Sequence, residues 1–164
     1  MRMEPAALED AAALSALHAA VAAELTSRHG KGHWSSATPS EKGVLYQMRT
    51  GRVFVAREGD EVIATLRLCT KKPWAIDTKY FTACKKPLYL LDMAVSPARQ
   101  RQGIGRLCVE EARRIAREWP ADAIRLDAYD AEAGAGAFYE KCGFREAGRV
   151  SYRGTPLVYF ESPL

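Results

Sequence analysis

The stretch that decides the fold is LYLLDMAVSPARQRQGIGRLCVEEA, residues 88–112. Six of its first eight residues are aliphatic or methionine, which is typical of a buried strand. Further on, apolar residues recur at helical spacing from Ile104 to Trp119. Between the two patterns, Gly103 and Gly105 stand among arginines and glutamines. The stretch therefore predicts a strand, a turn and a helix, with a turn suited to a negatively charged ligand.

The predicted turn has the chemistry of a phosphate site. A helix start leaves about four backbone N–H groups without intrahelical acceptors and carries a fractional positive charge. The two glycines let a ligand approach the backbone, and Arg101 and Arg106 add charge beside it. A tight connection with solvated arginines is the alternative. A dinucleotide fingerprint is disfavoured because Cys108 stands where glycine or alanine is required, and the Gly-Lys-Ser/Thr of a P-loop is absent from this stretch.

Composition narrows the class of protein. A chain of 164 residues can bury a sizeable core as a single domain over residues 1–164. We expect no membrane partner, because no run approaches the roughly 18 apolar residues of a membrane span. The N-terminus lacks an apolar stretch of signal-peptide type, and the four cysteines are far apart, so reduced thiols and a cytoplasmic location are expected. A net charge of +4 suits an anionic ligand without requiring nucleic acid.

The remaining patterns predict the order β–α–α–β–β–β–α–β–α–β–β. The predicted elements are a strand at 1–4, helices at 8–29 and 38–51, strands at 52–58, 61–69 and 88–95, a helix from 104, a strand at 123–129, a helix at 131–143 and strands at 145–152 and 157–161. Hairpins in the middle and crossover helices later imply a mixed sheet with helices on both faces. The segment 70–87 is long and its apolar residues show no periodicity, which is typical of functional or mobile loops.

Two motifs give this pattern a family resemblance. Residues 100–105, QRQGIG, fit Q/R-x-x-G-x-G/A, the acyl-CoA signature of the GNAT acetyltransferase superfamily, and the Val-x-Pro step at 95–97 precedes it. About 35 residues further on, AGAGAFYEKCGF at 133–144 resembles the second signature of that family. The resemblance implies an α/β fold of the GNAT type. Its central sheet is mixed, with splayed parallel strands and helices on both faces.

The same resemblance implies acetyl-CoA as the co-substrate. Its pantetheine arm is expected along the backbone of Met93, Ala94 and Val95. Its pyrophosphate is expected on the amides of Gln100, Arg101, Gln102, Gly103, Ile104, Gly105 and Arg106. One position departs from the family, because Glu132 stands where an asparagine often contacts the cofactor. An ionised carboxylate cannot donate a hydrogen bond, so either the helix start shifts in register or this contact is absent.

Tyr139 and Asp92 are the predicted catalytic residues. By resemblance, Tyr139 is the general acid that protonates the departing thiolate; a phenol with a pKa near 10 is protonated at neutral pH. The alternative is an aromatic core residue. Asp92, directly or through an ordered water, is the candidate base that removes the amine proton. Alternatively, it faces a solvated edge or pairs with an arginine. Asp127, on a neighbouring strand, is a weaker candidate.

Neither an acyl-enzyme nor a metal is expected. Cys108 falls on an apolar helix face and Cys142 in the last turn of a helix, where the dipole raises a thiol pKa, so both are interpreted as packing residues. His29 and His33 are four residues apart, but the glycines between them make a helical metal pair improbable. Attack of the amine on the thioester is therefore predicted to be direct, in a ternary complex.

The predicted function is an acetyl-CoA-dependent N-acetyltransferase acting on a small-molecule or peptide amine. A non-catalytic acyl-CoA-binding sensor or interaction module is the alternative. Nucleic-acid binding is not expected, because basic residues are not interleaved with aromatic ones. The sequence does not identify the acceptor or the acyl-chain preference. It is equally compatible with a homodimer and with a monomer. The aromatic residues expected to wall an acceptor pocket, or to be ordinary packing, are Trp34, Trp74, Tyr80 and Phe81.

Overall fold

The computed structural model describes residues 1–36 and 38–164. The predicted order of elements is confirmed. The elements are β1 (Glu4–Pro5), α1 (Ala11–His29), α2 (Glu41–Thr50), β2 (Arg52–Glu58), β3 (Glu61–Cys69), β4 (Pro87–Val95), α3 (Ile104–Glu118), β5 (Ala123–Tyr129), α4 (Gly136–Lys141), β6 (Arg145–Tyr152) and β7 (Thr155–Pro163). The strands follow the order β1-β2-β3-β4-β5-β7-β6 in one open sheet. The predicted mixed α/β fold, with helices flanking the sheet, is confirmed.

Parallel and antiparallel pairs coexist in this sheet. β1 pairs with β2, β2 with β3, β5 with β7, and β6 with β7, all antiparallel. β4 pairs with β5 in parallel at Pro87, Leu88 and Tyr89. β4 then continues to Val95, so Met93, Ala94 and Val95 follow the last of these pairs along the strand.

The chain divides into two compact units. The first unit contains Met1–Leu68 and Leu91–Ala112, and the second contains Cys69–Leu90 and Arg113–Leu164. Strand β4 and helix α3 each contribute residues to both. That residues 1–164 act as a single domain stays a prediction.

The core of the first unit lies between helices α1 and α2 and strand β2. Ala11, Leu14, Val44, Val53 and Val55 form a buried cluster there. Apolar side chains thus come from one stripe of each helix and from the strand, as helical and strand spacing dictate. The start of α2 is fixed by a cap, in which the Oγ of Ser40 accepts the N–H of Gly43 at 3.1 Å.

The second unit holds its long segment 70–86 against β7 through a buried carboxylate. Glu161 is 4% exposed. It accepts the N–H of Thr82 at 3.0 Å, the Oγ1–H of Thr82 at 2.8 Å and an N–H of Arg145 at 2.8 Å. Burial raises the pKa of the Glu161 carboxyl, but the bonds from Arg145 and Thr82 outweigh burial and leave the pKa lowered. A buried charge with this many donors fixes the segment that approaches it.

Candidate active site

Strand β4 and helix α3 are joined by a compact turn, as the sequence predicts. The N–H of Ser96 donates to the carbonyl of Ile63 at 2.8 Å, and the Nε2 of Gln100 donates to the carbonyl of Val95 at 3.1 Å. The backbone then enters the left-handed region twice, at Arg101 (φ of 62°) and at Gly103 (φ of 81°). Glycine adopts that conformation without strain, so Gly103 suits the last step before the helix.

The start of α3 has the features of an anion site. The first helical bond runs from the N–H of Leu107 to the carbonyl of Gly103 at 3.1 Å, and amides of the first turn have no intrahelical acceptor. Apart from the two chain neighbours of Gly103, no heavy atom of the described residues lies within 4 Å of the position that a Cβ on Gly103 would occupy. Arg101 and Arg106 are exposed. Open space, helix-start amides without intrahelical acceptors and nearby cations together favour a phosphate group.

Arg99 has a different role in this turn. Its Nε donates to Oε2 of Glu58 at 2.6 Å, and its Nη2 lies 3.8 Å from Oε2 of Glu61. These acids belong to the β2–β3 hairpin, so Arg99 connects the turn to that hairpin. The fixed turn and the exposed arginines beside it are therefore distinct parts of the site.

Asp92 occupies an unusual place on β4. Its φ is 52°, a conformation that costs an L residue about 1–2 kcal/mol. Its Oδ2 accepts the Nε–H of Arg67 at 2.8 Å, and Arg67 also lies 3.4 Å from the Oγ1 of Thr50. Pairing with an arginine, one of the alternatives that the sequence left open, is therefore present. Its role as a base stays a prediction.

His18 is a candidate that sequence reasoning missed. It lies on α1, four residues after Leu14 and four before Ala22, both of which are buried, so these side chains share one face of the helix. Burial lowers the pKa of the imidazole; the charge of Asp92 raises it and the charge of Arg67 lowers it, with a net lowering. His18 is therefore neutral at pH 7 and able to accept a proton. The sequence signal that could have identified His18 is its helical spacing from Leu14 and Ala22, which places it on their face of the helix.

Tyr139 lies on α4, in the second unit. It is 7% exposed and sits among three phenylalanine rings, Phe138, Phe144 and Phe160, with ring centroids 5.2, 5.5 and 6.1 Å away. The preceding turn requires glycine, because a Cβ on Gly134 would overlap the carbonyl oxygen of Tyr129. Tyr139 thus contributes to an aromatic cluster, and its role as an acid stays a prediction.

The Cys108 thiol is unsuited to nucleophilic attack. It is fully buried on α3. Burial, with a smaller contribution from Glu111, raises its pKa to about 12. A thiol with that pKa is protonated at neutral pH, and the thiolate is the nucleophilic form. This agrees with the interpretation of Cys108 as a packing residue.

The second unit contains a cavity of about 560 Å³ between the segment 72–80 and strands β6 and β7. Its lining includes Trp74 and Tyr80, two of the four predicted wall residues. The other two do not line it. Phe81 is buried with its ring 5.2 Å from that of Tyr159. Trp34, in the first unit, donates its Nε1–H to the carbonyl of Gly30 at 3.0 Å.

The structure thus brings most of the predicted residues into one unit. The first unit contains Asp92, Met93, Ala94, Val95, Gln100, Arg101, Gln102, Gly103, Ile104, Gly105 and Arg106, whereas Tyr139 belongs to the second. Over residues 1–36 and 38–164, no group of three or more His, Cys, Asp or Glu side chains is arranged to hold a metal ion. None of the helices in this part of the chain is long and apolar enough to span a membrane.

The chain belongs to the Acetyltransferase (GNAT) family, whose sequence model matches residues 18–144. The resemblance inferred from the two motifs is thereby confirmed. No curated protein matches the sequence.

Solved structures show how widely this fold is shared. The ribosomal-protein-alanine N-acetyltransferase of Brucella melitensis is similar with a TM-score of 0.74 and 17% identity, over 100% of both chains. Aminoglycoside 6′-acetyltransferase type Ii has a TM-score of 0.73 and 16% identity, over 99% of this chain and 97% of that one. The Salmonella typhimurium protein yncA, solved with its cofactor acetyl-CoA, has a TM-score of 0.69 and 18% identity, over 99% of this chain and 92% of that one. At these identities the likeness establishes the fold alone.

Proposed function

We propose that the protein is an acetyl-CoA-dependent N-acetyltransferase acting on a primary amine by direct attack in a ternary complex. The observation that carries the proposal is the left-handed Gly103, which ends the turn after β4 and opens α3 with unobstructed space beside it. This arrangement presents helix-start amides to an anion. The family membership of residues 18–144 supports acetyl-CoA as the molecule that carries the anion.

The chain offers two kinds of backbone site for this cofactor. The amides from Gln100 to Arg106 suit the pyrophosphate. Met93, Ala94 and Val95 follow the last parallel pair of β4 with β5, and unpaired strand backbone suits the amides of pantetheine. Acetyl-CoA supplies an acetyl group activated as a thioester. The proposed task of the strand and the turn is to bind and orient that group.

Two proton movements complete the proposed mechanism. An amine with a pKa near 10 is mostly ammonium at pH 7 and must lose a proton before it can attack. Asp92, directly or through a water, and the neighbouring neutral His18 are the proposed acceptors. Tyr139 is the proposed donor to the sulfur when the carbon–sulfur bond breaks. Cys108, with a pKa of about 12, has no step.

Thiol release from acetyl-CoA across a panel of amines tests this function. We expect release that depends on both substrates, and calorimetric binding of CoA that the Gly103→Ala variant weakens. CoA binding without thiol release for any amine would favour the non-catalytic acyl-CoA-binding module. No heat of binding with CoA or acetyl-CoA would remove both functions.

A further inference from the structure

We infer that the cavity of the second unit binds the acceptor as an organic monocation, an ammonium group carried on an apolar or aromatic body. This inference rests on the proposed function, because it names the class of amine that the enzyme acetylates. We call the cavity the cation pocket and define it by Lys72, Trp74, Asp77, Tyr80, Tyr152 and Tyr159. Its volume of about 560 Å³ falls in the range of small-molecule sites.

The walls of the cation pocket present aromatic surface to solvent. Trp74 is 83% exposed and Tyr80 is 45% exposed, whereas Tyr159 is buried. The rings of Tyr80 and Tyr159 meet edge to face with centroids 5.5 Å apart. Exposed rings in a concavity gain from covering by an apolar group, and the face of an indole or phenol attracts a cation.

The two tyrosine walls, Tyr80 and Tyr159, are held in place before a ligand arrives. The hydroxyl of Tyr159 accepts the N–H of Asp77 at 3.1 Å and donates to the carbonyl of Ala75. Gly148, on β6, makes room for Tyr80, because a Cβ at that position would overlap the tyrosine ring. The bonds from Thr82 to Glu161 hold the same segment further along. A preorganised pocket loses little entropy when it binds.

The charges of the cation pocket select the ligand. Asp77 is exposed, and its Oδ1 accepts the N–H of Lys79 at 3.1 Å. Within residues 1–36 and 38–164, Oδ2 of Asp77 has no hydrogen-bond partner, so it can accept an ammonium N–H. Lys72, which also lines the pocket, repels a second positive charge. Arg153 adds a second cation beside the pocket, because its guanidinium carbon lies 5.3 Å from the ring centroid of Tyr152. One lining acid and two cations among aromatic rings fit a monoamine better than a polyamine or a multiply charged aminosugar.

Calorimetry with matched ligands tests the inference. The probes are phenethyltrimethylammonium, which cannot be acetylated, and 2-phenylethanol and phenylacetate, which share its ring but are neutral and anionic. Each is titrated into the full-length protein with and without saturating CoA. We expect the cation to bind most tightly and phenylacetate least. Asp77→Asn retains an oxygen for the N–H of Lys79. This variant should bind the cation about three- to fivefold more weakly and bind 2-phenylethanol with unchanged affinity.

Two further variants sharpen the result. Trp74→Ala should weaken binding of the cation by about fivefold. Asp60→Asn removes an exposed carboxylate in the β2–β3 turn and should leave all titrations unchanged. Equal affinity for the three probes, or an Asp77→Asn variant that binds like the original protein, would overturn the inference. If Trp74→Ala does not fold, as judged by its thermal melt, the Asp77→Asn comparison still decides.

The inference and the proposed function fail in different ways. The proposed function fails when no amine is acetylated even though phenethyltrimethylammonium binds. The inference fails when amines are acetylated but phenethyltrimethylammonium neither binds nor inhibits, or when a polyamine such as spermidine is acetylated more efficiently than phenethylamine.

Discussion

The Nε–H of Arg67 on β3 donates to Oδ2 of Asp92 on β4 at 2.8 Å. The pair places a fixed cation beside the carboxylate that the sequence singles out as a base. His18, whose charge state responds to both groups, is neutral at pH 7. Asp92 is well suited to stabilising an imidazolium on His18 once that residue has taken a proton. Mutation separates the two roles.

We expect the pH profile to identify the proton acceptor. If His18 accepts the proton, kcat at saturating amine should rise with pH through a pKa below the ordinary value of 6.5, because only the neutral imidazole can act. His18→Gln should remove this limb and lower kcat by about 10- to 100-fold. Leu17→Ala, at an adjacent buried position, is the control for packing. A His18→Gln variant with the original acid limb would exclude His18.

Stability should depend on pH through the same residue. Because folding lowers the pKa of His18, the unfolded chain binds a proton more readily than the folded chain in the window between the folded pKa and about 6.5. The contribution is therefore complete above pH 6.5 and is lost as the pH falls through that window. Urea unfolding from pH 7.5 to 5 should show the decline, and it should be shallower in His18→Gln. Parallel declines in the two proteins would contradict the argument.

Replacement of Tyr139 tests the proposed acid. Tyr139→Phe keeps the ring among Phe138, Phe144 and Phe160 and removes only the hydroxyl. We expect kcat to fall by about 10- to 100-fold, with CoA affinity little changed. Stopped-flow thiol detection and calorimetry measure the two quantities. An unchanged kcat would show that Tyr139 contributes only to the aromatic cluster.

Gly103 and Gly59 form a matched pair for testing the phosphate turn. Both have positive φ, 81° and 60°, and at both positions a Cβ would meet open space. Substitution by alanine should therefore destabilise either by a similar amount, about 1–2 kcal/mol. Only Gly103→Ala should weaken the binding of CoA, by about tenfold or more, because phosphate contacts are lost. Equal CoA affinity in the two variants would place the pyrophosphate elsewhere.

Removal of the buried thiol should leave the chemistry intact. With a pKa of about 12, Cys108 carries almost no thiolate at neutral pH. Cys108→Ala should retain kcat and lose about 1 kcal/mol of stability through the small cavity it leaves. Mass spectrometry of protein quenched during turnover should find no acetylated cysteine. An acetyl group on Cys108 would replace direct attack with a covalent intermediate.

Local patterns predicted the strands well. The bounds of β2, β3, β5 and β6 agree with the prediction, because alternating apolar residues and the Gly-Asp turn are local signals. Helix α4 begins at Gly136 rather than at Ala131, since the close approach of Gly134 to Tyr129 replaces the first predicted turn. β4 was expected to be buried on both faces, but continuous burial extends only from Leu88 to Leu90, and Asp92 is exposed.

The candidate site was predictable only where it is local in sequence. The turn from Gln100 to Arg106 is a contiguous motif, so its geometry followed from its residues. The partner of Asp92 lies on another strand, and residues between 67 and 92 give no sign of that pairing. His18 carries no motif at all. The cation pocket combines the segment 72–80 with β6 and β7, a proximity that only the folded chain reveals.

Gly148 has a consequence for how this enzyme can diverge. The bare backbone on β6 is what lets the Tyr80 ring lie where it does, so two positions 68 residues apart in the sequence are constrained jointly. A lineage that gains a side chain at 148 must lose bulk at 80. Descendants with a reshaped cation pocket should therefore carry compensating changes at both positions, and directed evolution of that pocket has its natural starting point in the coupled pair.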